Sequence, residues 1–224
     1  MTTDDTFGTR LIGDIAATLP GATAVFRRFK LDFCCGGNVS LTEAAGKRGL
    51  DVAAIVEALS ALDAGSSAAV PSATGALIDH IVARYHETHR RELPELARLA
   101  RKVEAVHAGH PEAPQGLADT LEEIRAELEE HMQTEETTLF PLMRQQPDAE
   151  SVVPTAQIRH DHDRHGELLR RLETIANGFV LPQGACRSWT ALYTGTSKLV
   201  DDVMDHIHLE NNVLFPRFER REAL

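Results

Sequence analysis

One eleven-residue motif occurs twice in the chain and constrains its fold more than any other feature. The first copy is His131–Pro141, HMQTEETTLFP, and the second is His206–Pro216, HIHLENNVLFP. Each copy has a histidine, a glutamate four residues later, and then Leu-Phe-Pro. Residues four apart lie on the same face of an α-helix. Each copy therefore places an imidazole beside a carboxylate, which is half of a binding site for a metal ion.

The alignment of the two copies also shows which carboxylates are equivalent. Glu136 is opposite Asn211, so it has no acidic counterpart. The positions shared by both copies are His131/His206, Glu135/Glu210, Leu139/Leu214, Phe140/Phe215 and Pro141/Pro216. The paired carboxylates are therefore Glu135 and Glu210.

A histidine pair precedes each motif at nearly the same distance. His86-x-x-His89 lies 76 residues before His162-x-x-His165, and the two motifs are 75 residues apart. A helix with a histidine pair, followed by a helix with His-x-x-x-Glu, is thus present twice. This duplicated helical hairpin predicts an all-α fold built on an antiparallel four-helix bundle.

The chain is predicted to contain a small helical domain, a linker and the bundle. Residues 1–62 have short apolar helical patterns broken by Pro20-Gly21 and Gly36-Gly37. Residues 63–74 are small and polar, as in a flexible linker, and residues 75–224 carry the bundle. Its helices are predicted at about 77–106, 117–143, 155–176 and 186–218, with a kink at Pro94, a bend or end at Pro141, and a loop at 145–154. In the second helix, the residues predicted to face inward are Leu121, Ile124, Leu128, Leu139 and Leu142.

Charge and composition exclude several classes of function. The net charge of −11 opposes binding to nucleic acid or to an anionic membrane surface. There is no basic-then-apolar leader, no apolar run of spanning length and no phosphate-binding glycine motif. Three cysteines do not make a disulfide framework. We therefore expect a cytoplasmic protein in a reducing compartment.

The histidines and glutamates predict a site for two metal ions. His131, Glu135, His206 and Glu210 supply four ligands, and one histidine from each remaining helix brings the number to six. Four imidazoles and two bridging carboxylates, without thiolate, favour iron or manganese over structural zinc. Spacing does not decide which histidine of each pair, His86/His89 or His162/His165, is the ligand. It slightly favours His86 over His89. Further candidates are His80, His160, and His107 at the mouth of the site. His208 is predicted to face away from the site.

Cys34 and Cys35 lie next to each other in a glycine-flanked loop. An adjacent pair of thiols can be redox-active or can bind a metal ion transiently, and a disulfide between neighbours is strained and easily reduced. Two thiols alone are too few for a structural zinc or iron–sulfur site. We therefore predict a functional role for Cys34 and Cys35, and a structural role for Cys186.

These motifs together resemble the RIC family, the hemerythrin-like di-iron proteins for repair of iron centres. The resemblance extends over nearly the whole chain. It rests on Asp32-Phe33-Cys34-Cys35-Gly36-Gly37, Arg84-Tyr85-His86, the first His-x-x-x-Glu motif, His162-Asp163 and Met204–Pro216. It implies a non-haem di-iron centre, oxo-bridged when oxidised. The implied ligands are His86, His131, His162 and His206, with Glu135 and Glu210 as bridges.

The resemblance also implies a function in nitrosative and oxidative stress. The protein would repair or protect iron–sulfur clusters damaged by nitric oxide or oxidation, with the damaged iron–sulfur proteins as partners. Two mechanisms remain open: iron delivery, and reduction of nitric oxide by the di-iron pair, which would make the protein an enzyme. Cys34 and Cys35 would then transfer iron or electrons. The alternatives are an O₂ or NO sensor or carrier without turnover, and a structural or storage metal site. A homodimer is a further expectation.

Overall fold

The protein is all-α in the part of the chain that the structure describes. This computed structural model describes residues 7–62, 70–145 and 154–219. These ranges contain helices and turns, with one isolated antiparallel bridge between Leu11 and Ser40 and no strand. Within them, no helix has both the length and the apolar character needed to cross a membrane. The prediction of an all-α fold is confirmed.

The helices coincide closely with the predicted segments. Within residues 9–62 of the N-terminal module, the structure has the short helices α1 Ile12–Thr18, α2 Ala22–Arg28, α3 Leu41–Lys47 and α4 Val52–Ser60. The remaining helices are α5 Thr74–Ile81, α6 Glu87–Val106, α7 Leu117–Thr134, α8 Phe140–Gln145, α9 Ala156–Ile175 and α10 Arg187–His208. The helix starts follow local chemistry: Ser40 Oγ accepts a hydrogen bond from the Glu43 N–H at 3.2 Å, and Asp51 caps α4 in the same way.

The chain divides into two compact units. The first combines the described residues of Met1–Leu77 with those of Met204–Leu224, and the second combines those of Ile78–Pro147 and Val153–Val203. The bounds 1–62, 63–74 and 75–224 stay predictions. Residues 63–69 of the predicted linker and 146–153 of the predicted loop lie outside the described residues.

The second unit is built around α7. This helix packs against both α6 and α9. Helix α10 approaches α6 closely at Gly195. A Cβ atom at this position would lie only 2.7 Å from Leu96 Cδ2. The core between these helices is formed by buried apolar side chains: Leu93, Ala97, Ala100, Leu121, Ile124, Leu128, Leu172, Leu192 and Leu199. The helices are therefore held by apolar packing along most of their length.

In the described residues, three π-helical turns interrupt the long helices. They are Val82–His86, between α5 and α6; Glu135–Leu139, between α7 and α8; and Leu209–Leu214, after α10. Two of them occupy equivalent places in the sequence repeat, shortly before Pro141 and Pro216. Proline lacks an N–H and clashes with the carbonyl four residues earlier, and the wider π turn suits that requirement. Helix α6 contains Pro94 within its length, and the kink predicted there stays a prediction.

The second π turn corrects one prediction about the core. Leu142 was expected to face inward, but its exposed fraction is 37%. A π turn inserts one residue into the helical repeat and so rotates the following residues by about 100°. Met143 is completely buried in place of Leu142. An uninterrupted helical pattern could not show this shift.

This change of register gives a pair of variants with opposite expectations. Replacing Met143 by alanine should lower the free energy of unfolding by about 2–4 kcal/mol, because it leaves a cavity in the core. Leu142→Ala should cost less than about 1 kcal/mol, since the side chain is already partly in solvent. Urea denaturation followed by circular dichroism measures both. Equal costs for the two variants would contradict the described register.

Asp202 connects α10 to the first long helix through charged side chains. Its carboxylate accepts hydrogen bonds from Arg84 Nη2 and Lys198 Nζ, each at 2.7 Å, and Lys198 also contacts Glu92. Burial acts to raise the pKa of Asp202, but the bonds from Arg84 and Lys198 outweigh it, so the pKa is lowered. The ionised carboxylate therefore stabilises the folded state.

The lowered pKa of Asp202 predicts a pH dependence. A carboxyl group with a depressed folded-state pKa contributes stability above its unfolded pKa of about 3.9, and that stability is lost as the pH falls below this value. Asp202→Asn should cost about 1 kcal/mol at pH 7, because both cationic partners are half exposed. The difference between wild type and variant should shrink between about pH 5 and pH 3. Denaturation at both pH values tests this, and a constant difference would refute the assignment.

Candidate metal centre

Four predicted ligands lie together in the second unit. His86 ends the first π turn, His131 lies near the end of α7, Glu135 begins the second π turn, and His162 lies in α9. All four side chains are at most 3% exposed. Buried charged or polar groups require partners. The ligand atoms of His131, Glu135 and His162 belong to one group that could hold a metal ion, and those of His86 and Glu135 belong to another.

Glu135 faces a different imidazole with each of its two oxygen atoms. Oε2 lies 3.5 Å from His86 Nε2, and Oε1 lies 3.4 Å from His131 Nε2. A carboxylate that bridges two metal ions needs this arrangement, in which each oxygen is directed to a separate set of ligands. The position of Glu135 therefore fits a bridging role between two cations.

His131 and His162 direct ring nitrogens at each other. Their Nε2 atoms are 3.1 Å apart. Two ligands about 2.1 Å from one metal ion and at right angles to each other are about 3 Å apart. The spacing of the two nitrogens is therefore that of adjacent ligands on one ion, and the donor set of nitrogen and oxygen suits iron.

The second copy of the motif lies in the first unit and has the same internal geometry. His206 Nε2 is 3.1 Å from Glu210 Oε1, and both side chains are completely buried. His206 is in the last turn of α10, and Glu210 is the second residue of the third π turn. The pairing of histidine with glutamate that the spacing predicted is present here too.

A charged group lies on the far side of the His86 ring. His86 Nδ1 donates a hydrogen bond to Glu136 Oε1 at 2.7 Å, and Arg90 Nη1 donates to the same oxygen at 2.8 Å. Burial acts to raise the pKa of Glu136, but the bonds from His86 and Arg90 outweigh it and the pKa is lowered. The Phe140 ring stacks on His86, with centroids 5.8 Å apart. The imidazole is therefore fixed both at its edge and on its face.

The remaining histidines lie outside the groups of close ligand atoms. His89 and His165 are buried, and the His165 ring packs edge-on to His131 at 4.8 Å. His80 packs against Tyr85, and His160 is exposed. His107 and His110 both pack against Trp189. The structure thus gathers His86 and His162, which the resemblance favoured, in preference to their neighbours.

The Cys34-Cys35 loop is a tight turn organised by Asp32. Asp32 Oδ1 accepts hydrogen bonds from the Cys35 and Gly36 N–H groups, at 3.0 and 3.2 Å, and from the Cys34 thiol. The two Sγ atoms are 3.8 Å apart, so they are thiols and not a disulfide. Cys34 is buried, whereas Cys35 is half-buried. Asp32, Cys34 and Cys35 form a further group that could hold a metal ion.

The environment of Cys34 keeps its thiol protonated. The hydrogen bond with Cys35, burial, and the negative charge of Asp32 all raise the pKa of Cys34 well above its ordinary value. The thiolate is the reactive form of cysteine. Of the two thiols, the more accessible Cys35 is therefore the one placed to react first.

Two asparagines of the second motif hold this loop from the third π turn. Asn211 Nδ2 donates to the Cys34 carbonyl at 3.1 Å, and Asn212 Nδ2 donates to the Phe33 carbonyl at 3.2 Å. Asn212 Nδ2 also lies 3.0 Å from His208 Nδ1. Sequence reasoning missed these residues. The signal was present, because the second motif has Asn-Asn where the first has Glu-Thr.

His208 and a close glycine contact complete the packing of the loop. The His208 ring packs edge-on against Phe33, and burial lowers the pKa of His208 to about 4, so the imidazole is neutral. A Cβ atom at Gly37 would lie 2.9 Å from Asn212 Oδ1 and 2.7 Å from the Phe33 carbonyl oxygen. The loop can approach the π turn this closely only because residue 37 is glycine.

Comparison with known proteins gives the class and then the family. Residues 77–218 match the Hemerythrin HHE cation binding domain, and residues 8–63 match a domain of unknown function, DUF542. The fold is therefore a hemerythrin-like helical bundle with a small N-terminal helical domain, of a class that binds metal cations. The iron-sulfur cluster repair protein YtfE of Dickeya chrysanthemi is 44% identical over 94% of this chain and 97% of its own length. The protein of the same name from Pectobacterium atrosepticum is 42% identical over the same shares. The chain belongs to this family of hemerythrin-domain iron–sulfur cluster repair proteins.

Proposed function

We propose that the protein repairs or protects iron–sulfur clusters with a carboxylate-bridged pair of iron ions. His86, His131, His162 and His206 would hold the two ions with Glu135 and Glu210 as bridges, and an oxo group would join the ions in the oxidised state. The observation that carries the proposal is the position of Glu135. Its two oxygens face two different imidazoles in a buried site without thiolate.

The family supports iron–sulfur cluster repair as the function, and the donor set supports iron as the metal. The relatives are named as iron-sulfur cluster repair proteins, so the partners of this chain are damaged iron–sulfur proteins. Nitrogen and oxygen ligands hold ferrous iron less firmly than thiolates hold softer metals. A site of this kind can hold iron and also release it.

Two uses of the iron pair fit the proposal. When bound, two ferrous ions can leave as cargo for a damaged cluster, or can supply the two electrons that convert two NO and two protons into N₂O and water. The histidines and glutamates of the chain hold the two positions close together and exclude water around them. NO and O₂ are the small molecules such a site would bind.

The Cys34-Cys35 pair serves either use. Cys35, the more accessible thiol, would accept iron or pass electrons, and Cys34 would act as its partner at 3.8 Å. The reduced state of both thiols fits the cytoplasm as the compartment. A homodimer remains a prediction.

The test is repair of a [4Fe–4S] dehydratase that nitric oxide has inactivated. The protein, loaded anaerobically with ⁵⁷Fe, is added to the damaged enzyme, and three quantities are measured: recovered dehydratase activity, ⁵⁷Fe in the dehydratase, and N₂O. Transfer of ⁵⁷Fe indicates delivery, and N₂O without transfer indicates NO reduction. Recovery no greater than with free Fe²⁺, together with neither product, would reject the proposed function.

The cysteines are tested in the same assay. A Cys34→Ser/Cys35→Ser variant should keep its iron, because both residues are outside the ligand set, but should lose most of the repair. Cys186→Ser is the matched control, since it removes a thiol elsewhere in the chain. Full repair by the double variant would show that the cysteines take no part.

A further inference from the structure

We infer that Glu136 is a positioning residue that orients His86 and strengthens its bond to metal, and that Arg90 holds Glu136 in place. The inference rests on the proposed iron centre. It starts from the 2.7 Å hydrogen bond between His86 Nδ1 and Glu136 Oε1. Glu136 directly follows the bridging residue Glu135, so one π turn supplies both carboxylates.

The hydrogen bond selects the tautomer of His86. A carboxylate accepts and does not donate, so the proton lies on Nδ1 and the lone pair on Nε2. Nε2 is the atom that faces Glu135 Oε2, at 3.5 Å. A metal ion binds a ring nitrogen through its lone pair. The structure therefore places the binding atom of His86 towards the bridging carboxylate before any metal arrives.

Arg90 fixes the position of Glu136 through a chain of charged groups. Arg90 Nη1 donates to Glu136 Oε1 at 2.8 Å, and Arg90 Nε donates to Glu129 Oε2 at 3.0 Å. Glu129 lies on α7, seven residues or about two helical turns before Glu136 in the second π turn. The guanidinium is thus held between two carboxylates, which limits the freedom of Glu136 to leave the imidazole.

The second histidine that faces Glu135, His131, has a carboxylate at a longer distance from its far nitrogen. Asp161 Oδ2 lies 3.8 Å from His131 Nδ1, which is beyond hydrogen-bond distance. Asp161 Oδ1 accepts a hydrogen bond from Gln157 Nε2 at 2.9 Å. A carboxylate bonded to the far nitrogen of a ligand histidine makes the ring a stronger ligand. Glu136, bonded to His86 Nδ1 at 2.7 Å, would therefore strengthen the ligand at the metal position that His86 serves.

The repeat shows that this arrangement belongs to one motif alone. The counterpart of Glu136 in the second motif is Asn211, whose amide donates to the Cys34 carbonyl. The same position thus orients a ligand in one copy and holds the cysteine loop in the other. Glu136 is a specific addition to the first copy, and its effect should be confined to one iron.

The experiment measures iron release from the full-length protein. Wild type, Glu136→Gln, Glu136→Ala and the control Glu130→Gln are loaded anaerobically with Fe²⁺ and mixed with a ferrous chelator. Glu130 is exposed and lies on the same helix as Glu129. In both Glu136 variants, one iron equivalent should leave about 10–100-fold faster than in wild type, which is the usual effect of removing such a partner. The other equivalent and the control should be unchanged.

A measurement on the metal-free protein separates orientation from general damage. The ¹⁵N chemical shifts of the His86 ring report its tautomer. Wild type should show the proton on Nδ1, Glu136→Gln should retain much of this preference through its amide oxygen, and Glu136→Ala should lose it. Thermal unfolding of the metal-free variants shows whether they fold, and if Glu136→Ala does not, Glu136→Gln decides the question.

The outcomes distinguish the inference from the proposed function. A wild type that binds no iron would reject the proposed centre. A wild type with two irons, together with Glu136 variants whose release is unchanged, would reject the role of Glu136 and leave the centre standing. Equal acceleration of both irons would also reject it, because the hydrogen bond reaches His86 alone.

Discussion

Replacing Glu135 by alanine should remove nearly all iron from the protein. The two carboxylate oxygens face separate imidazoles, so one substitution takes a ligand from each metal position. We expect iron content to fall from about two per chain to near zero, since each ion loses a bridging ligand. Iron analysis after anaerobic loading and desalting measures the change, and the visible absorption of the oxidised protein should disappear with the metal.

The matched control for Glu135 is Glu130→Ala, a change of the same residue type on an exposed position of α7. It should retain full iron content. Metal-free Glu135→Ala should also keep its helical circular dichroism, because the substitution removes a carboxylate whose burial is unfavourable. Retention of two irons in Glu135→Ala, with the control unchanged, would show that Glu135 is not a bridge.

The second large effect is expected at Asn212, which holds the cysteine loop. Asn212→Ala removes the hydrogen bonds to the Phe33 and Cys34 carbonyls and the contact with His208. The loss should cost about 1–3 kcal/mol in local stability. Cys34 is buried and reacts only when the loop opens, so its alkylation should become roughly 5- to 150-fold faster, at about tenfold per 1.4 kcal/mol. Mass spectrometry of iodoacetamide-treated protein measures the rate.

Cys35 and Asn38 provide the references for this experiment. Cys35 is already half-buried in the wild type, so its alkylation should change much less than that of Cys34. Asn38→Ala alters an exposed amide close to the same loop and should leave both rates unchanged. A Cys34 rate in Asn212→Ala equal to that of wild type would mean that Asn212 does not hold the loop.

Much of the architecture could be predicted from the sequence because the signals were local. Apolar periodicity gave the bounds of the four long bundle segments within a few residues of those observed. The repeat gave the His-x-x-x-Glu pairs, since spacing on a helix determines which side chains are neighbours. The choice of His86 over His89 needed the family resemblance, because spacing favoured it only slightly.

The rest depended on geometry that spacing does not contain. Nothing in the pattern of Glu135–Leu139 distinguishes a π turn from an α-helix, so the burial of Met143 in place of Leu142 was not predicted. The roles of Glu136 and Asn211 depend on which residue of another segment lies opposite, and that information is tertiary. Glu136 and Asn211 are aligned positions at which the two copies of the motif differ, and this difference is visible in the sequence.

The third π turn carries a proposed metal ligand and a loop anchor within a few residues. Glu210 is the bridging carboxylate of the proposal, and Asn211 and Asn212 bind the carbonyls of the cysteine loop. If this shared turn couples iron binding to loop closure, the coupling acts equally in both directions. If iron binding at Glu210 favours the closed loop by some factor, closure of the loop raises iron affinity by that same factor. A partner protein that pulls the Cys34-Cys35 loop open would then lower the iron affinity of the site from which it receives iron.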